Sequence, residues 1–155
     1  MAEPSRPTPE QLRRYAEQFT HSRVLRYFGL TISFPDGDTV QVDLDPLRPE
    51  HRGGLGTDAV NGGVLAAIFD LAIGCTPALL DPSRRTATVQ LSMSFMRPVT
   101  GARLRALARI DRAGEVMLFS SAQILDEKGE VCAVCQGVVR ISKLRWESGD
   151  SPAVI

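Results

Sequence analysis

The residues best suited to chemistry lie between positions 61 and 80 of the 155-residue chain, where an apolar segment holds a single charged side chain. Asn61 precedes Gly62 and Gly63, and asparagine commonly caps a helix by accepting a first-turn amide with its side-chain oxygen. The other first-turn amides stay free, and because glycine has no side chain, a ligand can approach them closely. The sequence therefore predicts a buried helix with an electropositive amino end and one buried carboxylate, Asp70.

A buried carboxylate at position 70 has two interpretations. An ionised, unpaired carboxylate is costly in apolar surroundings, so such a group is normally paired, protonated or used in catalysis. Asp70 could bind an arginine of the sheet, or it could act chemically, because perturbed carboxylates are enriched in active sites without being confined to them. The sequence leaves both interpretations open.

The spacing of the two groups predicts an oligomer. Gly62 and Asp70 are eight residues apart, which corresponds to about 12 Å along a helix. A nucleophile and an oxyanion donor must each lie within roughly 3 Å of the reacting atom. If both groups act on one substrate, they must come from two copies of the chain, so the active site would lie at the interface of an obligate dimer.

Composition narrows the classes of function. Lys+Arg and Asp+Glu balance at 18 each, so no net field favours nucleic acid or an anionic membrane. The polar first residues and the interruption by Asp70 favour neither a signal peptide nor a membrane span. We expect a cytoplasmic protein with three reduced cysteines. We expect one folded domain at 30–143, with a helical segment at 1–29 and a mobile tail at 144–155.

The elements before the central helix are short. Residues 8–11 have the form of a capping box with Pro9 at the first helical position, which predicts an amphipathic helix. Apolar and polar residues then alternate at 31–34 and 39–44 on either side of a Pro-Asp-Gly turn, which predicts a β-hairpin. Residues 46–60 are expected to form a loop, and a substrate would enter at this amino end of the helix.

Four strands are predicted after the central helix, at 86–95, 102–110, 116–125 and 131–141. Strands joined by short turns pair antiparallel, and one apolar face on each suffices if all of them cover the same helix. The alternation predicts that the first strand lays five side chains on that helix: Ala87, Val89, Leu91, Met93 and Phe95. The predicted fold class is α+β, an antiparallel sheet around a long central helix.

This pattern resembles the hotdog-fold acyl-CoA thioesterases, specifically the phenylacetate-degradation (PaaI) type. The resemblance covers about residues 30–141 and rests on the Gly-Gly to Asp spacing together with the strand at 88–95 and the following Arg97. It implies that two subunits join their sheets and share active sites. It also implies that the Gly62 amide polarises the thioester carbonyl, that Asp70 of the partner subunit acts as nucleophile or general base, and that Thr88 assists.

The resemblance further implies ligands and assembly. The substrate would be an acyl-CoA with an aryl or a short- to medium-chain acyl group, and no metal or other cofactor is expected because coenzyme A is part of the substrate. The chain is expected to form a homodimer, which could associate further into a tetramer. Substrate contacts are expected from Asn61, Gly63, Leu65, Phe69 and Arg97.

Two positions depart from the family pattern. The family's histidine before the two glycines is Asn61 here, which can cap the helix but cannot titrate near neutral pH. An Asn or Gln that some members carry six residues before that histidine would fall on Leu55, so its polar contact is either missing or supplied from elsewhere, for example by Thr57 or Asp58. These departures support an alternative of another class, a non-catalytic acyl-CoA- or lipid-binding module.

Other motifs favour structural interpretations. Cys132 and Cys135 have CxxC spacing, yet residues three apart in a strand face opposite sides, so we expect small core residues rather than a metal or redox pair. His21 and His51 lie far apart without ligand-spaced neighbours, so no metal site is predicted. Neither histidine is placed for the Asp/His pair that a hydratase on this fold would need.

Overall fold

The structure, a computed structural model, describes residues 6–54 and 57–146. The described residues form a curled six-stranded sheet around a central helix. The helices are α1 (Pro9–Thr20), α2 (Arg23–Phe28) and α3 (Gly62–Gly74), with 3₁₀ turns at Pro49–His51 and Thr76–Leu79. The strands are β1 (Leu30–Ser33), β2 (Val40–Leu44), β3 (Arg84–Phe95), β4 (Leu104–Ala113), β5 (Met117–Asp126) and β6 (Val131–Arg145).

The strand order is β1-β2-β4-β5-β6-β3, and every neighbouring pair is antiparallel. This confirms the predicted fold class. The 12-residue strand β3 lies at one edge of the sheet, where only β6 pairs with it. Of the tail expected at 144–155, residues 147–155 lie outside the described residues, and β6 continues to Arg145.

The predicted elements before α3 are confirmed in their type. The Thr8 hydroxyl accepts the Gln11 amide at 3.2 Å, and the Gln11 side chain accepts the Thr8 amide at 2.8 Å, as a capping box requires. β1 and β2 form the expected hairpin. The short helix α2 lies within the helical segment expected at 1–29, although a separate second helix was not predicted; Ser22 caps it, and Gly29 ends it with a φ of 73°, in the left-handed region that glycine favours.

The predicted facing of β3 is wrong in its first half. The register shifts between Thr88 and Gln90, so Val89 is an extra residue in a β-bulge. Before the bulge, Thr86 faces α3, its hydroxyl donating to the Gly74 carbonyl at 3.2 Å, while Ala87 and Val89 are exposed. After the bulge the prediction holds, because Leu91 and Met93 pack against the core. Phe95, at the end of the strand, is 52% exposed.

Strand β6 approaches α3 closely at Gly137. A Cβ atom at this position would lie 2.6 Å from Cγ2 of Ile73 and 3.0 Å from Cδ2 of Leu91. Such distances are shorter than van der Waals contact, so no larger residue fits without a shift of the helix or of β3. The missing side chain therefore lets the sheet close on the central helix.

The segment Gly62–Leu79 is apolar and long enough to cross a membrane by length and composition alone, although we expected Asp70 to prevent this. In the structure 61% of the segment is buried inside the fold. Leu65, Ile68, Phe69 and Ile73 all belong to the hydrophobic core. The segment is therefore the core helix of this domain.

We predict that Gly137→Ala destabilises the protein by about 1–3 kcal/mol, because the added methyl group overpacks the contact between β6 and α3. Gly62→Ala is the matched control, since a Cβ atom there has no neighbour within 4 Å. Urea unfolding of both variants gives the free energies of unfolding. Equal stability of Gly137→Ala and the parent protein would contradict the close-packed contact.

Candidate functional site

The amino end of α3 presents one unpartnered amide. The Asn61 side-chain oxygen accepts the Gly63 amide at 2.8 Å, and the Asn61 carbonyl accepts the amides of Val64 and Leu65 at 3.0 and 3.2 Å. No described residue accepts the Gly62 amide. Gly62 is exposed, and the space where its Cβ atom would lie is open. The capping geometry thus confirms the expected N-cap and leaves a hydrogen-bond donor at the positive end of the helix dipole.

Asp70 is exposed in the single chain, so the expectation of a buried carboxylate is wrong. The sheet covers only one side of α3. Asp70 lies on the other side, which is exposed, and Gly63, about two turns earlier, is exposed as well. No described residue forms an ion pair or a hydrogen bond with Asp70, which removes the interpretation that it holds an arginine of the sheet. The carboxylate is therefore available to react or to meet a second subunit.

Thr88 lies against α3 one helical turn beyond Asp70. Its hydroxyl oxygen is 3.3 Å from the position that a Cβ atom would take at Gly74, and Gly74 follows Asp70 by four residues. The β-bulge described above places this hydroxyl on the helix side of β3, whereas the simple alternation predicted that side for Val89. The structure thus places Thr88 beside the turn of α3 that follows Asp70, and its role stays a prediction.

The other predicted contact residues have varied surroundings. Leu65 and Phe69 are buried in the core of the single chain, at 4% and 0% exposure. Arg97 is exposed and forms an ion pair with Glu130 at 2.7 Å. Thr57 and Asp58 are exposed in the loop that precedes α3, and Leu55 lies outside the described residues. The roles of Asn61, Gly63, Leu65, Phe69 and Arg97 in binding a substrate stay predictions.

The loop before α3 contains a residue whose part in the site the sequence did not indicate. His51 is buried at 3% exposure, and its carbonyl accepts the Asn61 amide at 2.9 Å. The same loop is closed by a β-bridge between Arg52 and Val60. The sequence predicted no site role for His51, and no spacing in the sequence indicates that its backbone supports the helix cap.

The cysteines are buried thiols. Burial, to which the Asp70 carboxylate adds, raises the pKa of Cys75 to about 12. Burial also raises the pKa of Cys135 to about 11. Cys132 is buried as well, and none of the three forms a disulfide within the described residues. The thiols stay protonated at neutral pH and are core residues, as expected for Cys132 and Cys135.

A groove of about 490 Å³ lies on the outer face of the sheet and includes Ser92, Arg109 and Gln136. No residue of α3 lines this groove, and Arg109 faces Asp111 at 3.8 Å. The groove is therefore separate from the amide and the carboxylate described above.

Comparisons with known proteins agree with this architecture. Residues 58–133, which include α3, β3, β4 and β5, match the family model of the thioesterase superfamily. The fold is the hotdog fold of that superfamily. A Shewanella oneidensis protein related to the superfamily aligns with a TM-score of 0.75 and 22% identity, covering 88% of this chain and 100% of its own. A thioesterase of Haemophilus influenzae aligns with a TM-score of 0.74 and 18% identity, covering 92% and 95%.

One curated relative is similar in sequence. A Thermoplasma volcanium protein described as a candidate esterase is 30% identical over 82 residues, which is 52% of this chain. The match spans 61% of the length of that relative. The chain is thus similar over part of its length to a protein described as an esterase, and it spans less than two thirds of the length of that relative.

We predict that Asp70→Asn leaves the free energy of unfolding within about 0.5 kcal/mol of the parent value, or raises it, because no described partner loses a contact. Asp81→Asn is the matched control. Asp81 accepts hydrogen bonds from Ser83 and pairs with Arg145 at 3.0 Å, so its replacement should lower stability. Denaturant unfolding measures both; a loss of several kcal/mol in Asp70→Asn would restore the structural interpretation of Asp70.

Proposed function

We propose that the protein is an acyl-CoA thioesterase of the PaaI type, which hydrolyses an aryl- or short- to medium-chain acyl-CoA to the free acid and coenzyme A. The observation that carries this proposal is the unpartnered Gly62 amide at the amino end of α3, combined with the unpaired Asp70 carboxylate on the same helix. A donor for a developing oxyanion and a carboxylate base or nucleophile are the two groups that acyl transfer requires.

The proposed reaction uses these groups in a defined order. The thioester carbonyl oxygen accepts a hydrogen bond from the Gly62 amide, and the helix dipole makes this amide a stronger donor. Asp70 of the partner subunit either attacks the carbonyl carbon or takes a proton from the attacking water. The carbon–sulfur bond then breaks, and the coenzyme A sulfur leaves as a thiolate that takes up a proton. Where Asp70 is the nucleophile, water then hydrolyses the anhydride formed between the acyl group and Asp70, which releases the free acid and restores the carboxylate. Thr88 donates a hydrogen bond to the water or the carboxylate, and these steps use no metal or other cofactor.

The proposed site is shared by two subunits. Gly62 and Asp70 are about 12 Å apart along one helix, so one chain cannot apply both to one carbonyl group. The edge strand β3 offers a means of assembly, because its outer backbone edge is unpaired within the described residues. Pairing of two β3 strands would continue the sheet and cover the exposed Phe95. We therefore propose a homodimer, which could associate further into a tetramer.

The proposed substrate contacts lie around the amide. Asn61 and Gly63 frame Gly62, and Arg97 is exposed at the end of β3, where a phosphate group of coenzyme A can reach it. Leu65 and Phe69 stay proposed contacts of the acyl group, but both are buried in the single chain, so the acyl pocket would have to open beside them. The balanced charge gives no attraction to nucleic acid or membrane, and we propose a cytoplasmic location.

One observation favours a second function, a non-catalytic module that binds acyl-CoA or lipid. Asn61 occupies the position of the family's histidine and commits its side-chain oxygen to the Gly63 amide. Such a module would keep the pocket without the chemistry. Calorimetry separates the two functions, because tight acyl-CoA binding without turnover supports the module.

We predict thiol release from at least one member of a panel of aryl-, short- and medium-chain acyl-CoAs. Asp70→Asn should lower kcat by orders of magnitude while acyl-CoA still binds, because the substitution keeps the shape and removes the charge. Asp81→Asn, assayed below its unfolding temperature, controls for a general effect of losing a carboxylate. Absence of turnover above background on the whole panel would overturn the catalytic proposal.

We predict that mixed dimers recover activity. Gly62→Val should fold, because the space around Gly62 is open, and it should block approach to the amide. A dimer of one Gly62→Val subunit and one Asp70→Asn subunit keeps one complete site and should recover up to about half the activity of a parent dimer. Gly62→Val mixed with the double variant is the control without a complete site. Two inactive variants that stay inactive after verified subunit exchange would contradict a shared site.

A further inference from the structure

The imidazole of His51 is held in one protonation state by its hydrogen bonds. His51 ends the 3₁₀ turn Pro49–His51, and its Nδ1 atom accepts the backbone amide of Arg48 at 2.9 Å. Because a backbone amide can only donate, Nδ1 carries no proton in this arrangement. The proton of the neutral ring is then on Nε2, which lies 3.2 Å from the Arg48 guanidinium; because both groups are donors in this tautomer, they form no hydrogen bond with each other. The ring therefore accepts the Arg48 amide only while it is neutral.

A chain of hydrogen bonds leads from this ring to the amino end of α3. The His51 carbonyl accepts the Asn61 amide at 2.9 Å, and the Asn61 side-chain oxygen accepts the Gly63 amide at 2.8 Å. The second bond decides which first-turn amide is occupied by the cap and which is left open. The position of His51 thus bears directly on the direction of the Gly62 amide.

The rest of the loop limits how far Asn61 can move. A Cβ atom at Gly53 would lie 2.9 Å from Nδ2 of Asn61, so the loop backbone packs directly against the capping side chain. The Arg52 guanidinium donates to the carbonyls of Asp58 at 2.7 Å and Gly101 at 2.5 Å. These bonds and the β-bridge between Arg52 and Val60 hold the loop, and the His51 carbonyl adds the bond made directly to the Asn61 amide.

We infer that His51 is a positioning residue for the oxyanion donor: its neutral, buried ring fixes the loop so that Asn61 caps Gly63 and the Gly62 amide stays turned toward the substrate. This inference rests on the proposed thioesterase function and deepens it. His51 itself touches no reacting atom. Its effect passes through two backbone amides and the side chain of Asn61.

The charged groups around the ring oppose its protonation. Burial lowers the pKa of His51 from its usual 6.5, and the Arg48 and Arg52 cations lower it further. The Phe28 backbone and the Glu50 carboxylate act in the opposite direction and raise the pKa, but the net shift is downward. The Arg48 guanidinium lies 3.2 Å from Nε2. Because the folded-state pKa is below the unfolded value, the contribution of His51 to stability is complete above pH 6.5 and is lost as the pH falls toward the folded pKa.

We predict that His51→Ala lowers kcat by about tenfold to a hundredfold with a smaller change in KM, because a misplaced donor weakens transition-state contacts most. His51→Asn keeps an acceptor for the Arg48 amide and cannot titrate. It should retain kcat within about threefold and lose that part of the activity decline below about pH 6.5 that belongs to the histidine. Thr76→Val is the matched control, since it removes a buried hydroxyl at the other end of α3, where Thr76 bonds Ile73 and Ser120.

Amide NMR supplies a measurement that does not depend on activity. In His51→Ala the Gly62 and Gly63 amides should shift and the Gly63 amide should exchange faster with solvent, whereas Thr76→Val should leave both unchanged. If no acyl-CoA is hydrolysed but these amides respond, the thioesterase proposal fails and the positioning by His51 stands. Unchanged amides in a folded His51→Ala variant would overturn the inference. If His51→Ala does not fold, a His51→Asn variant with the parent's acid-side activity decline would overturn it.

Discussion

The packing of α3 against the curled sheet is the contact on which the remaining structure depends. The helix can enter the sheet because Gly137 has no side chain at the point where β6 meets Ile73. This contact buries one side of α3 and leaves the other side uncovered, so the sequence of the helix has to satisfy two environments. Large apolar side chains fill the covered side, and the uncovered side carries glycine, alanine and Asp70.

The uncovered side of α3 and the unpaired edge of β3 have the same cause: the sheet of one chain does not close completely around the helix. An edge strand of 12 residues with an unpaired backbone is normally blunted or paired, because it otherwise invites association. Leu91 and Met93 of β3 are only partly buried by the single chain. A second copy paired along β3 would cover these side chains, and this is the arrangement that a site built from Gly62 of one chain and Asp70 of another requires.

The sequence was sufficient to predict the helices and strands, but not which of their side chains face the core. The cap at Asn61, the hairpin and the four later strands follow from residue type and periodicity, which act over a few positions. The bulge at Val89 could not be predicted, because an inserted residue leaves the alternation of apolar side chains intact while it reverses their facing. The exposure of Asp70 was missed because composition shows that a helix is apolar but does not show how many of its sides one chain covers. Likewise, the part that His51 takes in supporting Asn61 is made through its backbone carbonyl, which every residue type has.

Asn61 stands where the thioesterases that the sequence resembles have a histidine, and this difference bears on how the amino end of α3 is held. A histidine there could add a positive charge to the helix end at low pH, whereas asparagine contributes only a fixed dipole and one accepted hydrogen bond. In the proposed mechanism the developing oxyanion is therefore stabilised by the Gly62 amide and the helix dipole alone. Neutral, preorganised dipoles can supply this stabilisation only if they do not reorient during the reaction. The rigidity of the loop from His51 to Asn61 then matters more in this chain than in a relative whose helix end can carry a charge.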